Sequence, residues 1–132
     1  MELEEIVIKY KQLEERLKAL LIEREKSILL KNEIENVKKC LEEIKSGNKI
    51  KYISIGADTF IEIESFKNDY VIINVGSNIL KKFKIEDAIN FLENEKNEID
   101  KYIEFLNQLQ VETEKDLKVL AEEIKKVKNL KG

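Results

Sequence analysis

The chain has 132 residues, 39% of them charged, and a net charge of −3 at pH 7. That is one domain's worth of length, but with apolar residues arranged in stripes, which suits long helices zipped along a narrow seam better than a globule. Lysines interleave with glutamates instead of forming a basic block, so no nucleic-acid footprint is expected.

No run of about 18 apolar residues exists, and the N-terminus MELEEIVIKY starts acidic where a secretory signal starts basic. No membrane association is expected, and the expected location is cytoplasmic. Histidine is absent, which removes the commonest general base and the commonest zinc ligand together. Glycine-rich phosphate loops, nucleophile elbows and cysteine clusters are absent too. The lone Cys40, beside Lys38, Lys39 and Glu43, reads as a small residue at a seam boundary, because no second thiol could resolve an oxidised form. Catalysis, a metal and a cofactor are therefore not expected.

In chain order, apolar residues first recur at Leu3, Ile6, Tyr10, Leu13 and Leu17, the alternating three- and four-residue steps of a coiled-coil seam. The rhythm resumes at Ile34, Val37, Leu41 and Ile44 and stops at SGN, where Gly47 can take a left-handed C-cap conformation. This predicts a helical arm over residues 1–46.

Residues 47–84 switch to a period of two. Ile50 to Ile55 and Thr59 to Ile63 flank GAD, and Tyr70 to Val75 and Ile79 to Phe83 flank GSN, with SFKND as a polar connection between them. Gly56 and Gly76 supply the positive φ that tight hairpin loops require, so the segment predicts two β-hairpins. Ile53, Ile55, Phe60, Val71, Ile73, Val75 and Ile79 give these hairpins more apolar surface than they could bury alone, and they are the expected oligomerisation residues. Glu62 and Glu64 on one strand read as a solvated face, not an acid–base pair or a cation site.

Residues 85–132 return to helical spacing, with Glu86 and Asp87 complementing the dipole of the first turn. The seam reads Ile85, Ile89, Leu92, Ile99, Leu106, Leu117, Leu120, Ile124 and Val127. An antiparallel fold-back pairs Leu3 with Val127, Ile6 with Ile124, Tyr10 with Leu120, Leu13 with Leu117 and Leu41 with Ile89, in one constant register. Strict heptads would place Ser27 opposite Ile103 and Gln110 opposite Leu20. A matched four-residue step in both arms avoids this and puts Leu21, Arg24, Ile28, Tyr102, Leu109 and Thr113 on the seam. Val7, Ile8, Val119 and Leu130 fall off the seam near the ends of the two arms.

A long helix, hairpins carrying ISIGADTFIEIE and DYVIINVGSNILKKF, and a return helix opening IEDAINFLENEKNEI resemble the α-class subunit of prefoldin over essentially the whole chain. The second hairpin is the specific feature, since β-class subunits carry one. The resemblance implies an α+β fold: a long antiparallel two-helix coiled coil with two β-hairpins inserted between the helices, the hairpins joining those of other subunits in an intersubunit β-barrel platform. It implies an ATP-independent holdase whose coiled-coil tips grip non-native client proteins. The expected client-binding tip residues are Leu3, Ile6, Val7 and Ile8 with Val119, Leu120, Ile124, Val127 and Leu130. The implied partners are β-class subunits in a hetero-hexamer of two α-class and four β-class chains, or copies of itself in a homo-oligomer or filament, as in some α-like relatives. Two departures stand out. Gly76-Ser77-Asn78 replaces the Gly-Ala-Gly of many α-class turns, and Lys84 replaces a capping serine, weakening that cap by about 1 kcal/mol.

Overall fold

The computed structural model describes residues 2–47, 51–64 and 70–131, with all their side chains except those of Lys51, Ser54, Ile55 and Lys131. Ile50, the Ile55 side chain and the SFKND connection lie outside the described residues. The elements in chain order are α1 (Leu3–Lys45), β1 (Lys51–Gly56), β2 (Thr59–Ile63), β3 (Tyr70–Asn74), β4 (Leu80–Lys84) and α2 (Ile85–Lys131). Strands β1 and β2 pair antiparallel, as do β3 and β4, giving a separate two-stranded sheet each.

Helix α1 runs unbroken because its sequence holds neither glycine nor proline, and Glu4, Glu5 and Lys45 complement the dipole at its two ends. It stops where Gly47 adopts φ +83°, while the Ser46 hydroxyl donates to the Glu43 carbonyl at 2.7 Å. The hairpin turns centre on Ala57-Asp58 and Ser77-Asn78, all four with positive φ, as two-residue turns matched to strand twist require. In the second turn the Asn74 side chain accepts from the Gly76 amide at 2.9 Å.

Two compact units make up the chain. One combines α1 up to Lys31 with α2 from Glu98. Its buried residues are Ile6 and Leu106 together with Ser27 and Thr113. This overturns the four-residue step expected from the sequence. Strict three–four rhythm continues through half-buried Leu20, Ile103 and Gln110, whereas Leu21 and Tyr102 are each 41% exposed. The physical reason is that the seam hydroxyls need no partner on the other helix: Ser27 donates to the Glu23 carbonyl at 2.9 Å and Thr113 to the Leu109 carbonyl at 2.7 Å. Between the helices, Lys31 pairs with Asp100 at 2.5 Å and the Tyr102 hydroxyl donates to Glu23 at 3.2 Å.

The second unit, Asn32–Asn97, holds both hairpins. Its core is Leu41, Ile85, Ala88 and Leu92, with Ile34, Ile44, Ile89 and Phe91 packed around it from the helices. Val37 is exposed where the sequence placed it on the seam, and Cys40 is exposed as well. Lys38 takes the seam place of Val37: its aliphatic stem is half-buried and its ammonium pairs with Glu93. Glu35 with Lys96 at 2.9 Å and Lys45 with Glu86 at 2.6 Å complete a ladder in which α1 numbers rise as α2 numbers fall, so the helices run antiparallel.

The pairs remain open enough to water for solvent to screen them, so the apolar cluster carries most of the stability while the ladder sets the register. Replacing Leu41 by alanine is expected to cost about 2–5 kcal/mol in urea unfolding, and Val37→Ala less than about 0.5 kcal/mol.

The ladder also sets a pH window. Hydrogen bonds from Lys96 and Lys45 hold the Glu35 and Glu86 carboxyls below their ordinary 4.5, and the bond to Glu93 holds the Lys38 ammonium above its ordinary 10.5. Depressed carboxyls contribute stability that is present above pH 4.5 and lost as pH falls through their folded values. The raised ammonium contributes stability that is present below pH 10.5 and lost as pH climbs through its folded value. Thermal midpoints measured across pH should therefore show a plateau that falls away on both sides, and Lys96→Met with Lys45→Met should flatten the acid limb.

Candidate assembly and client surfaces

Register assigns each strand residue to a face. In the first hairpin Tyr52 opposes Glu62 and Ser54 opposes Phe60, while Ile53 opposes Ile61 on the other side. Both faces are apolar and both are open, with Phe60 59% and Ile61 49% exposed. Ile53 and Phe60, expected together as assembly residues, thus lie on opposite faces of one ribbon.

The second hairpin is two-sided in a different sense. Val71 opposes Phe83 and Ile73 opposes Lys81, and Val71, Ile73 and Phe83 pack against the Leu41–Ile85–Ala88–Leu92 cluster. The Phe83 and Phe91 rings meet at 5.2 Å, tilted by 39°. The expectation that Val71 and Ile73 have no cover within the chain is therefore corrected: the ends of both helices cover them. The open face carries Tyr70, Ile72 and Leu80, with Ile72 68% exposed. Val75 and Ile79 flank the turn and are exposed.

Tyr52, Ile61, Ile72 and Leu80 were not singled out from the sequence. Alternation could not choose a face in Val71-Ile72-Ile73, where three apolar residues follow one another. The apolar face that meets the helices is decided by packing, and the other is left outside.

In the first unit the residues expected to meet clients divide into two sets. Ile6 is 2% exposed, and Leu3, Val7, Leu120, Ile124 and Val127 are half-buried along the seam. Ile8, Val119 and Leu130 are exposed, Leu130 by 87%. A groove lined by Lys9, Gln12, Leu13, Arg16 and Leu120 sets the last third of α2 beside the start of α1, so these residues gather at the paired helix ends. Ile22, Leu29, Leu30, Phe105 and Val111 are further exposed apolar residues of this unit that the sequence reading passed over. Their off-seam heptad positions were the available signal.

Among the described residues no group of acidic, cysteine or histidine side chains could hold a metal, and no helix is long and apolar enough to cross a membrane.

A family model described as prefoldin subunit matches residues 10–130. No curated protein matches the chain. Among solved structures, the chain is similar to filamentous PFD from Methanocaldococcus jannaschii, determined by cryo-EM, with a TM-score of 0.70 and 22% identity over 91% of this chain and 98% of that one.

Ile72→Asp should lower the oligomer mass seen by light scattering and leave the thermal midpoint of the single chain almost unchanged. Val71→Asp should cost about 3 kcal/mol of chain stability, because it drives a charge against an apolar cluster.

Proposed function

The chain belongs to the prefoldin family, and on that footing we propose that it is a subunit of an ATP-independent holdase. In this reading it binds non-native proteins at the paired ends of α1 and α2, assembles through its hairpins and performs no chemistry. The observation that carries the reading is the set of apolar side chains at those ends, with Ile8, Val119 and Leu130 exposed beside half-buried Val7. A spacer would have no use for them, whereas weak contacts repeated on several arms of an assembly add up through multivalency. Seam residues Leu3, Ile6, Leu120, Ile124 and Val127 join this surface when the terminal turns fray, which is the region of lowest local stability in any helix pair.

A second reading, a self-assembling filament subunit, is favoured by one specific observation: the similar solved structure is described as filamentous. A first hairpin that is apolar on both faces also supports assembly with copies of the same chain, alongside assembly with β-class subunits.

The test is suppression of aggregation of a chemically unfolded client without nucleotide, followed by light scattering. The parent assembly, alone or with β-class subunits, should suppress scattering. Replacing Val7, Ile8, Val119 and Leu130 together by serine or glutamine should abolish most of that suppression at unchanged oligomer mass. Equal suppression by parent and variant would refute the assignment to the helix ends. No suppression by any parent assembly would leave the filament reading in its place.

A further inference from the structure

Each two-stranded sheet leaves two strand edges without a backbone partner among the described residues, and the edges differ in charge. Strand β2 carries Glu62, with Glu64 immediately after it, and no basic residue. Strand β4 carries Lys81, Lys82 and Lys84 and no acidic residue. Along one face β2 reads Phe60, Glu62, Glu64, and along one face β4 reads Leu80, Lys82, Lys84. The two strands thus share the order apolar, charged, charged at every second position, with opposite sign.

We infer that the free edge of β4 in one copy of this chain pairs with the free edge of β2 in a second copy, Glu62 and Glu64 lying against Lys82 and Lys84. The inference rests on the reading that the hairpins mediate assembly, and it specifies which edges meet. Three observations carry it. First, none of these four side chains takes part in an ion pair among the described residues; the Lys82 ammonium instead rests 4.7 Å from the Tyr70 ring of its own hairpin. Second, exposed apolar residues stand on the same two strands, Phe60 and Ile61 on β2 and Leu80 on β4, so pairing those edges shields part of their surface. Third, like-with-like pairing is penalised at both edges, because β4 on β4 opposes lysines and β2 on β2 opposes glutamates. Lysines on a sheet edge ordinarily block pairing, and here they block every partner except an acidic strand.

The consequence is a head-to-tail contact. Each copy spends two different edges on two different neighbours, so one edge of each kind remains free after any number of additions. Such an interface propagates into a filament unless its rotation closes a ring.

The experiment uses the full chain in two variants, Glu62→Lys with Glu64→Lys, and Lys82→Glu with Lys84→Glu. Each alone has edges of one sign only. Each should need about tenfold more protein, or still more, to reach half-assembly by analytical ultracentrifugation. An equimolar mixture should regain the parental mass, because the acidic β4 of one variant meets the basic β2 of the other. All four positions are exposed, so both variants should keep the parental helical circular dichroism. The milder Lys82→Gln with Lys84→Gln should give an intermediate shift. Parental assembly by either reversed variant, or a mixture that stays at the mass of its components, would overturn the edge assignment. A parent that stays monomeric alone and assembles only with β-class subunits would overturn the second-copy partner and leave the holdase reading to its own scattering test.

Discussion

The close packing around Ala88, at 0% exposure the most completely buried of the described residues, is the constraint on which the second unit depends. Its small side chain lets Leu41, Ile85 and Leu92 converge, and that cluster is what Val71, Ile73 and Phe83 rest on. A bulkier residue would force the hairpin off the helices, since overpacking costs about 1–3 kcal/mol in a site this tight. Because α2 begins at Ile85 with no loop after β4, the strand and the helix share one anchor. The face that β3 and β4 present outward is therefore set by a core that lies beneath them.

The two hairpins consequently play unequal parts. The second is half satisfied by its own chain and offers one apolar face, while the first offers two and has no cover among the described residues. An isolated two-stranded ribbon is at best marginally stable in water, so the first hairpin gains most from pairing with another chain.

Electrostatics does a different job in each place. Between the helices the Glu35, Lys38, Lys45, Glu86, Glu93 and Lys96 ladder specifies register and direction, with modest energy per pair. On the hairpins Glu62, Glu64, Lys82 and Lys84 take part in no ion pair among the described residues. At the helix ends the charged residues are interrupted by exposed apolar ones, Ile8, Val119 and Leu130.

Most of the element plan was legible in the residues. Three- and four-residue steps marked both helices, glycines at 47, 56 and 76 marked the breaks, and alternation marked the strands, because backbone geometry imposes those periods locally. The antiparallel pairing of the arms was legible as well. What local pattern could not settle was every choice between two physically acceptable partners. Ser27 looked like a seam mismatch until its hydroxyl was seen to bond its own helix, and Val37 looked like a seam residue until Lys38 found Glu93. Val71 and Ile72 are equivalent as letters, and only the position of Leu41 and Leu92 beneath the sheet decides which one is covered. Sequence alone determined where helix gives way to strand; tertiary packing decided which face of each strand remained outside, because burial is a property of neighbours that no short-range period encodes.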